Sequence, residues 1–240
     1  MDKIAELQTL INVSNKIVFF GGAGVSTESG IKDFRSADGL YAEHYKYPPE
    51  FMLSHSCWAK MPDEFYKFYK DKLSVSGVKP NKAHYKLAEL EKAGKLLAVV
   101  TQNIDGLHQA AGSKVVYELH GSILRNYCIC CGKSYDASAV FNSEGIPKCT
   151  CGGIIKPDVV LYEEPLNDSI VNGAINAISN ADLLIIAGTS LAVYPAAGLI
   201  DFFNGRHIVI INRSSTPADN KASLVIEGSV GEGLDQIKVQ

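Results

Sequence analysis

Seven short apolar runs constrain the fold of this chain more than any other feature of its sequence. The runs are rich in Val, Ile and Leu. They lack the alternation of polar and apolar residues that marks a strand with one face in water, so they are typical of parallel strands covered by helices on both faces. The seven runs are residues 16–20, 96–101, 115–119, 159–162, 182–187, 207–211 and 224–227.

Helical patterns lie between several of these runs. Residues 82–93 precede the second run, and residues 169–179 precede the fifth. This alternation of strands and helices predicts an α/β fold built on a doubly wound, Rossmann-like parallel sheet. A chain of 240 residues is long enough for one such large domain with a small insert, and too short for two full domains.

Five of the six cysteines fall within 24 residues, which indicates a metal site in a chain without an export signal. Cys128 and Cys131 form one short-range pair, and Cys149 and Cys151 form another. Two such pairs suit tetrahedral zinc with four thiolates, and four protein ligands make the site structural. The spacing leaves open whether Cys130 replaces Cys131 as a ligand.

Two stretches interrupt the alternation of strands and helices. Residues 37–79 are aromatic and helical in pattern, whereas residues 126–154 carry the cysteines and few apolar side chains. We predict that this helical insert and this zinc-ribbon module together form a small inserted domain. The large domain then comprises residues 1–36, 80–125 and 155–240. The side chains of the insert that we expect in its core are Cys57, Phe65, Phe68, Tyr69 and Leu73.

The charge balance excludes some classes of function. A net charge of −3 supplies no basic face, which argues against direct nucleic-acid binding but permits a groove for a basic peptide. Residues 1–13 lack the apolar core and the small residues of a signal peptide, and no apolar run is long enough to cross a bilayer. We therefore expect a cytoplasmic protein that does not enter a membrane.

A glycine-rich loop, residues 21–26, follows the first run. Glycines let backbone N–H groups approach a pyrophosphate, and a following helix presents its positive N-terminus to the anion. The usual dinucleotide fingerprint is incomplete, because Thr27 stands at the third glycine position and a second strand ending in an acid is missing. Phosphate binding and a plain turn both stay open. Further along the loop, Phe34 could cover a flat ring and Arg35 could pair with a phosphate.

Polar residues also follow other runs directly. Gln102, Asn103 and Asp105 come after the second run, and His120 comes after the third. Ligands bind outside the carboxyl ends of the strands in an open parallel sheet, so we expect these side chains to face one crevice. A histidine with an ordinary pKa of about 6.5 suits a general base, although its position alone fits a structural residue equally well.

Six motifs in order make the chain resemble the sirtuin family. The first, residues 22–35, is similar to the family pattern Gly-Ala-Gly-x-Ser-x-x-Ser-Gly-Ile-x-Asp-Phe-Arg. The resemblance implies an NAD-binding large domain, a structural zinc ion and the activity of an NAD-dependent protein lysine deacetylase or deacylase. In that reaction the acyl group of acyl-lysine moves to ADP-ribose, and nicotinamide is released. The other motifs are residues 80–84, 101–108, 118–122, 188–191 and 211–213.

The resemblance also implies roles for individual residues. His120 would be the catalytic base, with Asn103 as the second catalytic residue. The family pattern would place zinc on Cys128, Cys131, Cys149 and Cys151. It would place the acyl-lysine peptide against Val159, Val160 and Tyr162. The residues implied in NAD binding are Gly22, Ala23, Gly24, Thr27, Asp33, Phe34, Arg35, Gln102, Asn103, Ile104, Asp105, Gly188, Thr189, Ser190, Asn212, Arg213 and Val230.

The chain departs from the family pattern in the loop that clamps the substrate backbone. Where the family has Phe-Gly-Glu, this chain has Tyr162, Glu163 and Glu164. Glu163 restricts the backbone and adds charge, which changes the expected geometry of the clamp. The two glutamates could attract basic peptides, or they could form a solvated acidic turn.

Relatives that remove acidic acyl groups carry a Tyr-x-x-Arg pair in the helical insert. The corresponding positions here are Tyr66 and Tyr69, without an arginine. We therefore expect neutral acyl groups to be preferred, because a buried carboxylate needs a charged partner. Lys70 is the first residue to test as a substitute for the missing cation, and Lys72 is the second.

Three other functions make use of the same features. A protein ADP-ribosyltransferase would use the same glycine-rich loop and Asn103, and it is the main alternative. A nicotinamide-dependent oxidoreductase is disfavoured, because the third glycine and the ribose-binding acid are missing. A non-catalytic binding module is disfavoured, because it would not need a base at His120.

Overall fold

The structure, a computed structural model, describes residues 2–34, 39 and 46–239. Arg35 therefore lies outside the described residues. The strands are β1 (Ile17–Gly21), β2 (Leu96–Thr101), β3 (Val116–Glu118), β4 (Gly121–Cys128), β5 (Ser134–Tyr135), β6 (Ile155–Val159), β7 (Leu183–Ala187), β8 (His207–Asn212) and β9 (Leu224–Glu227). The α-helices are α1 (Lys3–Val13), α2 (Pro49–Met52), α3 (His55–Lys60), α4 (Pro62–Lys72), α5 (Lys82–Lys92), α6 (Leu107–Ala111), α7 (Ser138–Phe141), α8 (Asp168–Ser179) and α9 (Val230–Asp235).

Six strands form one parallel sheet in the order β3-β2-β1-β7-β8-β9. The chain extends the sheet from β1 to one side through β2 and β3, and to the other side through β7, β8 and β9. The strand order therefore reverses between β1 and β7, as in a Rossmann-like fold. Six of the seven apolar runs form this sheet, which confirms the predicted fold class.

The strands end in register along one edge of the sheet. Gly21 at the end of β1 pairs with Thr101 on one side and with Ala187 on the other. The pairing of Thr101 with Glu118 continues this edge outward. As a result, the loops that follow the strands all begin at nearly the same level, and their side chains converge on one crevice.

The seventh run, residues 159–162, is not a parallel strand, and that prediction was wrong. β6 begins four residues earlier, at Ile155, and pairs antiparallel with β4 in a separate sheet of order β5-β4-β6. Beyond Val159 the chain leaves this sheet and makes one isolated bridge, between Tyr162 and Ser54. The run is apolar because Val159 and Leu161 are buried in the core of the smaller sheet. An apolar run indicates that a segment is buried, but it does not indicate which sheet the segment joins.

Helices cover both faces of the large sheet, which explains why polar and apolar residues do not alternate along its strands. Ile17 and Phe19 point into a cluster that includes residues of α1, α5 and α9. Val18 and Phe20 point the other way, into a cluster with α8. Successive strand residues face opposite sides, so both sets must be apolar when both sides are covered.

A third apolar cluster joins α2, α3 and α4 with β4, β6 and α7. The five side chains expected in the core of the insert are all buried in this cluster. The division into a large and a small domain at the predicted boundaries stays a prediction. Among the described residues, no helix is long and apolar enough to cross a membrane; the cytoplasmic location stays a prediction.

Candidate active site

A cavity of about 1020 Å³ lies along the carboxyl edge of the parallel sheet. Its wall contains the loops that follow β1, β2, β3, β7, β8 and β9, together with parts of the third cluster. Every described residue implied in NAD or peptide binding lies on this wall. These residues are Gly22, Ala23, Gly24, Thr27, Asp33, Phe34, Gln102, Asn103, Ile104, Asp105, His120, Val159, Val160, Tyr162, Gly188, Thr189, Ser190, Asn212, Arg213 and Val230.

The glycine-rich loop packs backbone against backbone with the loop after β7. A Cβ atom on Gly24 would lie 2.8 Å from the Cα atom of Gly188, and one on Gly22 would lie 2.8 Å from the Cβ atom of Thr189. The N–H of Gly24 donates to the carbonyl of Gly188 at 2.8 Å. Glycine is therefore required for close approach of the two loops. Residues 23–25 and 27–29 form short 3₁₀ turns, so no α-helix begins in the described part of this loop, residues 21–34, and the expected helix N-terminus was wrong.

Side-chain hydrogen bonds connect the loops across the edge of the sheet. The amide of Gln102 donates to the Thr189 hydroxyl at 3.0 Å. The amide of Asn212 donates to the carbonyl of Thr189 at 3.1 Å and to that of Ser214 at 2.8 Å. Polar groups after β2, β7 and β8 thus hold one another in fixed positions around the cavity.

Ser26, Asn103 and Asp105 form a buried hydrogen-bonded trio. The Ser26 hydroxyl donates to the Asp105 carboxylate at 2.6 Å and accepts from the Asn103 amide at 3.1 Å. The other Asp105 oxygen accepts the N–H of Leu107 at 2.9 Å, where α6 begins. All three side chains are at most 8% exposed. These bonds fix the orientation of the Asn103 amide, with its NH₂ group towards Ser26.

Ser26 was missed among the candidate site residues. It stands inside the glycine-rich loop that follows β1, so its position was visible in the sequence. Its importance comes from contacts with residues 77 and 79 positions away, which the sequence alone does not reveal.

His120 has one ring nitrogen held by the backbone. Its Nδ1 atom lies 2.9 Å from the carbonyl oxygen of Gln102. A carbonyl oxygen only accepts, so Nδ1 carries the hydrogen and the Nε2 atom of the neutral ring keeps a lone pair. Burial lowers the pKa of His120, and the hydrogen bond to Gln102 opposes part of that shift. The neutral ring, with Nε2 able to accept a proton, therefore persists to lower pH than in an ordinary histidine.

Three of the four positions considered for acyl recognition, Tyr66, Tyr69 and Lys70, do not line the cavity. Tyr66 donates its hydroxyl to the carbonyl of Ile155 at 2.8 Å, and Tyr69 stacks between Phe65 and Phe141 inside the third cluster. Lys70 donates to the hydroxyl of Ser143, 2.8 Å away, and to nearby carbonyls, so its ammonium group is engaged away from the cavity.

Lys72, two residues further along α4, does line the cavity. Its Nζ atom lies 3.1 Å from the carboxylate of the neighbouring Asp71. Of the two lysines considered at this end of α4, Lys72 is therefore the one that lies within reach of a ligand.

Four cysteine sulfur atoms converge beside β4. The Sγ atoms of Cys128, Cys131, Cys149 and Cys151 all lie within 4.8 Å of one another. Zinc with four thiolates at about 2.3 Å requires sulfur atoms about 3.8 Å apart. Two of the Sγ pairs lie at 3.4 and 3.6 Å, so the group fits the ion with small adjustments. Cys130 is outside this group, although its N–H points to the Sγ atom of Cys128 at 3.4 Å.

Comparison with known proteins relates this geometry to a family. The model of the Sir2 family matches residues 22–195. A protein of Clostridium perfringens named NAD-dependent protein deacetylase is 61% identical over 240 residues, which cover 98% of each chain. A protein of the same name from Clostridium acetobutylicum is 58% identical over 241 residues, covering 99% of this chain and 98% of the relative.

Solved structures agree with these relatives. A complex of Sir2 with a p53 peptide and NAD+ has a TM-score of 0.85 at 40% identity, and the match covers 96% of this chain and 95% of that chain. Sir2Tm bound to a propionylated peptide has a TM-score of 0.86 at 39% identity, covering 98% of this chain and 96% of that chain. Since the family match spans most of the chain and the relatives align almost from end to end, the chain belongs to the Sir2 family, the sirtuins.

Proposed function

We propose that this protein is an NAD-dependent protein lysine deacylase, which moves the acyl group of acyl-lysine to ADP-ribose and releases nicotinamide. One observation carries the proposal: the Nε2 side of the His120 ring and the Ser26–Asn103–Asp105 trio share one cavity along the carboxyl edge of the parallel sheet. The relatives named NAD-dependent protein deacetylases and the Sir2 complex with peptide and NAD+ support the same reaction.

The residues on the cavity wall fit NAD. A volume of about 1020 Å³ accommodates a dinucleotide together with part of a second substrate. Gly22, Gly24 and Gly188 line the cavity, and a Cβ atom on any of them would meet the facing loop. The two loops therefore stay close together at the carboxyl edge of the sheet, where dinucleotides bind in such folds. When bound, NAD supplies an electrophilic ribose carbon, nicotinamide as leaving group and a ribose hydroxyl as acyl acceptor.

Residues of the chain bind the two substrates and accept the proton. Asn103 and Asp105, held by Ser26, orient the nicotinamide end of the cofactor. His120 accepts a proton at Nε2 from the hydroxyl that receives the acyl group, and Gln102 holds the ring through Nδ1. Gly188, Thr189, Ser190, Asn212 and Val230 hold the adenosine half. Val159, Val160 and Tyr162 form the wall that holds the peptide, by addition of a strand.

We also propose that Cys128, Cys131, Cys149 and Cys151 hold a structural zinc ion. Four thiolates leave no open coordination position, so the ion has no part in the chemistry. Its role is to fix the turns that carry these cysteines beside β4, where Tyr135 also donates its hydroxyl to the Cys149 sulfur at 3.0 Å.

A product assay tests the proposed reaction directly. With NAD and an acetyl-lysine peptide, we expect equal amounts of free-lysine peptide, nicotinamide and O-acetyl-ADP-ribose, measured by mass spectrometry. Nicotinamide release accompanied by a gain of ADP-ribose on a protein acceptor, without loss of acetyl from the peptide, would instead identify an ADP-ribosyltransferase.

His120→Ala should retain NAD binding and lose a factor on the order of 10²–10⁴ in kcat, the usual contribution of a positioned base. A base must be neutral, and burial lowers the pKa of His120, so the wild-type rate should fall only as the pH drops below about 6.5. The measurement is kcat and kcat/KM against pH. His207→Ala, at the amino end of β8, is the matched control. Near wild-type turnover by His120→Ala, or an acid limb centred above pH 6.5, would contradict this role.

Cys131→Ser should lose zinc, whereas Cys130→Ser should keep about one ion per chain. Of these two cysteines, only Cys131 belongs to the group of four converging sulfur atoms. Elemental analysis gives the ion content and thermal unfolding gives the stability of both variants. We expect Cys131→Ser to unfold at a lower temperature, since binding energy at a structural zinc site is folding energy. The reverse pattern, with zinc lost only from Cys130→Ser, would assign the ligand to Cys130.

Acetyl-lysine peptides should have a higher kcat/KM than matched succinyl-lysine peptides. The wall of the third cluster presents aliphatic side chains such as Leu53, Val75 and Ile104 to the cavity, and burying a carboxylate against them is costly. Lys70→Ala is the control and should leave the ratio of the two values unchanged. A succinyl preference that Lys72→Ala abolishes would show that Lys72 supplies the missing cation.

A further inference from the structure

The loop after β6, residues 160–164, has an unusual backbone at its tip. Glu163 has a φ of 75°, in the left-handed region that favours glycine. Among the described residues, Leu191 is the only other non-glycine residue with a positive φ. The loop lines the cavity, and the sirtuin pattern has glycine at this position. The surrounding contacts must therefore hold Glu163 in a conformation that its side chain disfavours.

The carboxylate of Glu163 supplies such a contact. It accepts the N–H of Ser56 at 2.9 Å, in the first turn of α3. The preceding N–H of the same helix, on His55, donates to the carbonyl of Tyr162 at 2.9 Å. The first N–H groups of a helix have no partner within the helix, so the loop satisfies two of them. Hydrogen bonding from the Ser56 side chain, and then from its backbone N–H, lowers the pKa of Glu163, as expected for a carboxylate that accepts hydrogen bonds in its charged form.

Glu164 fastens the other side of the same loop. Its carboxylate accepts from the Leu161 N–H at 3.0 Å and lies 2.9 Å from the Nδ1 atom of His55. It also lies 3.2 Å from the Nζ atom of Lys156, a lysine that is only 7% exposed. Both glutamates of the loop are thus engaged with protein donors.

The loop connects α3 to the catalytic end of the cavity. At its start, the N–H of Val160 donates to the carbonyl of His120 at 2.9 Å. At Tyr162, the N–H donates to the carbonyl of Leu53 at 3.0 Å, just before α3. A shift of the loop away from α3 would therefore move the wall that we assign to the peptide, next to the proposed base.

We propose that Glu163 is a positioning residue for the acyl-peptide groove: its carboxylate fastens the groove wall to the N-terminus of α3 and does not contact the substrate. The inference rests on the proposed deacylase function. This role of Glu163 differs from the attraction of basic peptides, because it requires a hydrogen-bond acceptor at this position and does not require a negative charge.

Two variants of the full-length protein separate these roles. Glu163→Ala removes the acceptor and keeps a side chain at the strained position, whereas Glu163→Gln keeps an acceptor oxygen and removes the charge. Glu50→Ala, which removes an exposed carboxylate from the neighbouring α2, is the control for a change of net charge. Each protein is assayed with saturating NAD on one neutral and one lysine-rich acetyl-lysine peptide, at low and high salt.

Glu163→Ala should raise the peptide KM roughly tenfold on both peptides, with kcat and the KM for NAD changed by less than about twofold. Glu163→Gln should recover most of the lost affinity, and Glu50→Ala should match the wild type. A wild-type peptide KM in Glu163→Ala would overturn the proposal. So would an equal loss in Glu163→Gln that is confined to the lysine-rich peptide and screened by salt. A wild-type protein that deacylates neither peptide would overturn the proposed function itself, and the groove role with it.

Discussion

In-register parallel pairing around β1 is the constraint on which the rest of the structure depends. Because Gly21, Thr101 and Ala187 end their strands side by side, the loops that follow leave the sheet at one level. Burial of alternate residues on both faces, such as Phe19 on one and Phe20 on the other, holds this register through packing on two sides. The cavity, and the polar groups of the strand-end loops that face it, follow from that common edge.

Glycines and hydrogen bonds convert this edge into a rigid site. The approach of Gly24 to Gly188 leaves no room for a side chain, so two loops from opposite sides of the topological switch behave as one surface. On the other side of the glycine-rich loop, Ser26 reaches Asn103 and Asp105 in the loop after β2. A site held by backbone contact and by short buried hydrogen bonds orients a cofactor without reorganisation when it binds.

Much of the fold and of the site was predictable from the sequence, and the same physical reasons explain which parts were not. Strands that are buried on both faces, and cysteines that are paired a few residues apart, can be recognised from neighbouring residues in the sequence. The parallel sheet and the group of four cysteine sulfur atoms were therefore predicted. The run at 159–162 was assigned to the wrong sheet, because burial alone does not reveal the partner strand. Ser26 was missed and the contacts of Lys70 were not predicted, since the residues that they contact lie 77 and 73 residues away along the chain. The engagement of Glu163 with Ser56 likewise depends on how α3 meets the loop, which spacing does not encode.

The most direct test of the account is a crystal structure of this protein with NAD and an acetyl-lysine peptide. We predict that the nicotinamide ribose lies beside Asn103 and His120, with a ribose hydroxyl within about 3.2 Å of the His120 Nε2 atom. We predict that the adenosine half lies beside Thr189 and Asn212, and that the peptide lies along residues 159–162. NAD bound in the opposite direction, or outside the cavity at the carboxyl edge of the sheet, would contradict it.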